Sequence, residues 1–184
     1  DALERLSRTD SLTGLGNRHQ FNDLFPLMLA NAKRQGSPLA LVLMDIDLFK
    51  RVNDQHGHLT GDACLEVFAE RMRQVFRRDN DILLRMGGEE FANCLPTFSA
   101  EEARAVAQLC RTAIATVDSR HSGFNFQMTA SFGIATRDAN GSFSFEQALA
   151  AADKALYFSK NEGRNRVTVY QHSDAFGHDA TQAR

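Results

Sequence analysis

The 184-residue chain lacks an excess of positive charge, a cysteine framework and any long apolar run, and each shortage closes off a class of protein. Twenty-one basic residues against 23 acidic ones leave a formal net charge of -2, with a pI near 6.3. That gives no electrostatic footprint for following a nucleic-acid backbone, so a nucleotide handled here is a small molecule and no nucleic-acid polymer is expected as partner. The three cysteines, Cys64, Cys94 and Cys110, are odd in number, widely spaced and form no CxxC pair. Each lies in an apolar pattern, as buried reduced thiols do. His56 and His58 stand neither at a zinc-helix spacing nor near a cysteine, which argues against a transition-metal site. No apolar stretch approaches the roughly 18 residues of a membrane span, and the first residues do not resemble a signal peptide. A soluble chain is therefore expected. It begins without methionine on a charged amphipathic stretch, 1–8, read as the end of a linker or signalling helix cut from a longer polypeptide.

Hydrophobic residues make up 43% and charged residues 24%, an ordinary globular mixture with enough length for one domain and no room for a second catalytic one. Phe21, Leu24, Phe25, Met28 and Leu29 recur at helical spacing before Gly36 and Pro38. The continuous apolar run PLALVLMDI, 38–46, predicts a strand buried on both faces. After a loop, Leu65, Phe68, Ala69, Met72, Val75 and Phe76 mark a helix, with Arg77 and Arg78 in its last turn. Two short apolar runs, 82–86 and 91–95, flank Gly87, Gly88, Glu89 and Glu90 and read as a hairpin. Ser99 with Glu102 has capping-box spacing and opens a helix carrying Ala103, Val106, Leu109, Cys110, Ala113 and Val117 on one side. A strand over 126–135 follows, giving the split βαβ order of a ferredoxin-like α+β fold with both helices on one face. A helix over 145–161 and a strand over 166–170 read as decoration, and the tail from 171 as disordered. Asn93 interrupts the second hairpin strand where an apolar residue is expected; a position facing solvent or a partner would account for it.

Several of these positions carry chemistry. In MDIDLFK, Asp45 and Asp47 end a buried strand two residues apart, so in a regular strand they share a side and clamp a hard cation, or simply face water. Lys50 follows within reach of phosphate, or as a solvated loop lysine. Adjacent Glu89 and Glu90 at a tight corner repel each other unless a cation sits nearby; a plain hydrophilic hairpin tip is the alternative. In the ferredoxin-like order the first strand lies beside this corner, so Asp45 and Glu89 can share one metal. Asn53, His58 and Asp62 occupy the following loop and helix start. A carboxylate accepts from guanine N1 and N2, and adenine lacks the second donor, so Asn53 with Asp62 fits a guanine reader. Asp62 as a helix N-cap is equally open. Lys160 and Arg164 flank a helix end, where they either complement the dipole or clamp a triphosphate.

Together these runs resemble the GGDEF family of diguanylate cyclases over about 10–170. The resemblance rests on DSLTGLGNR (10–18), DIDLFKRVND (45–54), GHLTGD (57–62), RMGGEEF (85–91), ASFGIA (130–135) and KNEGRNR (160–166). It implies a palm-like core of the nucleotide cyclase type, spanning 9–170. It also implies Mg²⁺ or Mn²⁺ held by Asp45, Glu89 and the Ile46 carbonyl with Glu90 assisting, and Glu89 as base for the 3′-hydroxyl. Asn53, His58 and Asp62 would hold GTP; Lys50, Lys160 and Arg164 its phosphates. Each domain would hold one GTP, so a homodimer completes the reaction to cyclic di-GMP. The domain would be cytoplasmic and follow an upstream sensory domain, in a protein that can be membrane-tethered. Arg78, nine residues before the first glycine of GGEEF, forms RDND with Asp81 and matches the family's RxxD product-inhibition site. The third motif letter is Glu where the family name has Asp. A non-catalytic cyclic di-GMP receptor is the main alternative, and another palm-type nucleotidyl transferase a further one.

Overall fold

A computed structural model of the chain describes residue 3 and residues 7–117, 123–137 and 143–171. The expected disordered tail beyond 171 and most of the 1–8 linker lie outside the described residues. Helix α1 (Arg18–Gln35) starts where the Asn17 side chain accepts from the Gln20 amide at 3.0 Å, and ends at Gly36 in the left-handed region. It leads into β1 (Leu39–Ile46), in which all eight residues are buried, as the unbroken apolar run requires. Helices α2 (Phe49–His56) and α3 (His58–Val75) follow, then β2 (Ile82–Gly87) and β3 (Glu90–Pro96). Helix α4 (Ala100–Ala115), β4 (Ala130–Arg137), α5 (Phe145–Asn161) and β5 (Val167–Val169) complete the order. Both halves of the Ser99–Glu102 capping box are formed, and a second box, Ser144 with Gln147, opens α5.

The sheet runs β2-β3-β1-β4-β5; the first four strands are antiparallel, in ferredoxin-like order, and β5 joins parallel to β4. Alternation along β1 sends Ala40, Val42, Met44 and Ile46 under α3 and α4, and Leu39, Leu41 and Leu43 under α1 and α5. Thus α5 is more than decoration: with α1 it builds the second of two cores, one on each face of the sheet. All three cysteines are buried, and burial pushes the Cys64 thiol up to about 11.

Four expectations shift. Residues 49–56 form α2 instead of a loop, because Phe49 and Val52 sit three apart and both pack on the core. Helix α3 stops at Val75, so Arg77 and Arg78 lie beyond it. Leu109 is 62% exposed, since the buried stripe of α4 is Ala103, Ala107, Cys110 and Ile114. Strand β4 begins at Ala130, and Phe126 instead stacks between His56 and Phe124, with ring centroids 4.7 and 4.9 Å away.

Asn93 also departs from expectation. It faces neither solvent nor a partner: it is wholly buried on β3 opposite Val42, and neither side-chain polar atom has a hydrogen-bond partner among the described residues. An unpaired buried amide costs about 1–3 kcal/mol. Asn93→Val, which suits a strand interior and removes both polar atoms, is expected to raise stability by about 2 kcal/mol and the melting midpoint by about 4–8 °C. Thermal unfolding checks this; an unchanged or lower midpoint refutes it.

Candidate active site

The site forms where β1 ends beside the β2–β3 corner. Antiparallel pairing sets Asp45 opposite Glu90, and the Ile46 amide donates to the Glu89 carbonyl at 3.3 Å. The corner itself needs its glycines: Gly87 and Gly88 have φ of 143° and 51°, open to residues without a Cβ. Arg85 braces it from within, its Nε donating to the Gly88 carbonyl at 3.0 Å and its guanidinium pairing with Asp10 at 3.0 Å. Asp10 also accepts from the Thr13 amide and hydroxyl at 2.9 and 2.7 Å. Burial alone would raise the Asp10 carboxyl, but the Thr13 bonds and the Arg85 charge together hold it below its usual value. The DSLTG turn is thereby tied to the GGEEF corner.

Asp45 is buried, and its Oδ1 has no hydrogen-bond partner among the described residues, while its Oδ2 accepts from Lys160 on the last turn of α5. Burial raises its pKa; Lys160 opposes this, and the charges of Glu89 and Asp47 add to it. Glu90 is likewise raised, by burial first and then by Asp153 and Asp45, against Arg18 and Lys160. Among the described residues no three His, Cys, Asp or Glu side chains form a ready-made metal cluster. An orphaned carboxylate oxygen amid like charges nevertheless fits a hard cation that keeps few protein ligands.

Asp47 does not share this role. The strand ends at Ile46, Leu48 turns into the left-handed region with φ of 55°, and Asp47 is spent as a clamp. Its Oδ1 accepts from the Ser131 hydroxyl at 2.6 Å, and its Oδ2 from the Thr129 hydroxyl at 2.7 Å and the Asn165 amide at 3.0 Å. These bonds fix the KNEGRNR loop against β1, so the Asp45 and Asp47 clamp read from spacing is replaced by one acid with an unpartnered oxygen among the described residues and one structural acid. Arg164, in the left-handed region with φ of 63°, is exposed on that loop, as Lys50 is on α2.

Asn53 lies on α2 and His58 and Asp62 on α3, two helices packed together across Gly57. Asp62 is the fifth residue of α3, and the cap position is Gly57, so the N-cap reading fails. The Asn53 amide oxygen is buried without a hydrogen-bond partner among the described residues, and any Cβ at Gly61 would collide with it. A second cluster lies near the far end of β2. The Arg78 guanidinium sits 4.5 Å over the Phe98 ring, donates to the Pro96 carbonyl at 3.2 Å, and stands 3.7 Å from a buried Asp81 oxygen. Burial raises Asp81, against the Arg78 charge, and that oxygen too has no hydrogen-bond partner among the described residues.

Two charged residues of the site escaped the sequence reading: Arg18 and Asp153. Asp153 lies seven residues before Lys160, two helical turns along one face of α5, and that spacing was the available signal.

A ferredoxin-like sheet that gathers carboxylates at the end of its first strand, with cations on the adjoining helix, defines a palm-like α+β domain of the nucleotide cyclase type. Residues 7–166 match the family model described as diguanylate cyclase, GGDEF domain, and the chain belongs to that family. It is 40% identical over 163 residues, 88% of its length, to diguanylate cyclase DgcP of Pseudomonas aeruginosa, of which it spans 24%. It thus covers about a quarter of that relative. Its backbone is similar to the GGDEF domain of DgcB from Caulobacter crescentus, solved in complex with c-di-GMP: TM-score 0.82, 35% identity, covering 89% of this chain and 96% of that one. It is also similar to the active GGEEF domain of a diguanylate cyclase from Vibrio cholerae: TM-score 0.77, 32% identity, covering 84% and 97%. Among the described residues, no helix is long and apolar enough to cross a membrane.

Proposed function

We propose that this domain is a diguanylate cyclase: two GTP molecules condense to cyclic di-GMP and two pyrophosphates between the facing domains of a homodimer. The observation that carries the reading is the carboxylate corner, Asp45 beside Glu89 and Glu90, with one buried Asp45 oxygen unpartnered. Asp45, Glu89 and the Ile46 carbonyl would hold Mg²⁺ or Mn²⁺, which when bound supplies Lewis-acid polarisation of the phosphates.

The chain's own groups do the rest. Glu89 takes the proton of the attacking 3′-hydroxyl, and Glu90, paired across the strands with Asp45, assists at the metal. Lys50 stabilises the charge that develops on the α-phosphate, while Lys160 and Arg164 hold the remaining phosphates. Asn53 and Asp62 read guanine and His58 helps to hold the nucleotide; the orphaned Asn53 oxygen supports this assignment. The catalytic unit runs over 9–170, in the cytoplasm, downstream of a sensory domain. Arg78 and Asp81 form the inhibitory site, where the half-exposed guanidinium, ion-paired with Asp81 at 3.7 Å, would meet the product.

One assay tests the reading. The purified chain, concentrated and supplied with GTP and Mg²⁺, is expected to yield cyclic di-GMP and pyrophosphate, identified by chromatography and mass spectrometry. Turnover should slow as product accumulates, and Arg78→Ala should relieve that slowing by roughly tenfold or more in product concentration, the worth of lost charge-assisted hydrogen bonds. Tight product binding with no turnover, even with dimerisation forced by a fused coiled coil, would replace the cyclase with a non-catalytic receptor.

A further inference from the structure

Lys160 is assigned above to phosphate, yet in the structure its ammonium is paired with Asp45. We propose that Lys160 is a place-holding cation, competing with the divalent metal for the Asp45 carboxylate and passing to the substrate phosphates only as the metal displaces it. The proposal rests on the metal reading of Asp45 and goes beyond it, because it gives one side chain two alternating partners.

The charges around the pair set up the exchange. Facing it are Asp45 from β1, Glu90 from β3, Glu89 from the corner, Asp47 just past β1 and Asp153 from α5; the cations are Lys160 and Arg18. Asp47 is already engaged by Thr129, Ser131 and Asn165. Four acids therefore share two cations, and Lys160 is the one that reaches Asp45. An ammonium and a divalent cation on the same small carboxylate repel each other, so binding of one opposes the other. The lysine can leave: its side chain is 38% exposed, against 10% for Asp45, and its four-carbon stem rotates freely at the last turn of a helix. That terminus stays favourable for a positive charge, so Lys160 remains near Arg164 after release, where a triphosphate would meet both. Metal entry then frees a phosphate ligand, which couples metal and nucleotide binding positively.

The competing account is that Lys160 merely orients Asp45 for the metal, and the two differ in sign. Mn²⁺ binding to the nucleotide-free 184-residue chain, followed by the electron paramagnetic resonance signal of free Mn²⁺, reads that sign directly. Lys160→Gln is expected to bind Mn²⁺ roughly fivefold or more tightly than wild type. Lys160→Arg, which grips the carboxylate through a bidentate fork, is expected to bind it more weakly. Either variant moving in the opposite direction, or neither moving, overturns the proposal, and the arginine variant keeps the test open if the glutamine variant does not fold. Asp45→Asn is the separate control. If it binds Mn²⁺ as wild type does, the metal assignment itself fails, whatever the lysine variants do.

Discussion

Glu89→Ala is expected to leave a folded domain that forms cyclic di-GMP slower by on the order of a thousandfold, the scale on which losing one preorganised transition-state partner slows an enzyme. Two proposed roles would vanish together, a metal ligand and the base for the 3′-hydroxyl. Stability should not fall. The corner is held by main-chain acceptors, the Glu89 carbonyl bonded to the Ile46 amide and the Gly88 carbonyl bonded to Arg85, and neither needs the Glu89 side chain. Removing that carboxylate also removes a charge that pushes the Asp45 pKa up, so the melting midpoint should hold or rise. Rates under saturating GTP and Mg²⁺, set beside thermal unfolding, check both halves. Retention of more than about a tenth of the wild-type rate would strip Glu89 of its role. A lower midpoint with normal turnover would make it a structural residue.

Much of this site was legible because its parts obey local rules. A strand with eight successive buried residues cannot be written with polar alternation, so β1 announced itself as central, while whether Asp45 near its end faces water was left open until the fold buried it. The glycines of the corner and the Ser99 box were equally local. What was lost depended on where the chain turns between elements. Strand geometry was extended one residue too far to reach Asp47, because the left-handed Leu48 that ends it leaves no mark in a sequence that offers leucine at that place. Helix α2 is only two turns long, too short for periodicity to stand out. Arg18 and Asp153 act across elements, and only the packing of α1 and α5 on the second face brings them to Glu90. Asn93 shows the reverse case: the sequence marked the anomaly, and the fold buries it without a hydrogen-bond partner among the described residues.

That second face gives the other large effect, which begins at Gly133. Gly133 lies in β4 between Leu43 of β1 and Thr168 of β5, and its φ makes no special demand; what it supplies is space. A Cβ there would come within 3.0 Å of three main-chain atoms of α5, the amide nitrogen and Cα of Leu156 and the carbonyl oxygen of Ala152. No side chain can rotate away from such a contact, so the helix must lift. Its buried stripe is mostly small, Ala148, Ala151, Ala152, Ala155 and Ser159 beside Leu156, which is how it comes to lie backbone to backbone on the sheet. Lifting it also strains the bond from the Ser159 hydroxyl to the Phe132 carbonyl, 2.7 Å long and fully buried. Gly133→Ala is therefore expected to cost about 3 kcal/mol or more, at the upper end for overpacking, and to lower the melting midpoint by about 6–12 °C. Urea and thermal unfolding measure it; a midpoint within about 1 °C of wild type would mean that α5 yields freely. The same displacement carries Asp153 and Lys160 away from Glu90 and Asp45. Whatever fraction stays folded should then bind Mn²⁺ with altered affinity, because a glycine chosen for packing also sets the distance between the lysine and the carboxylate it holds.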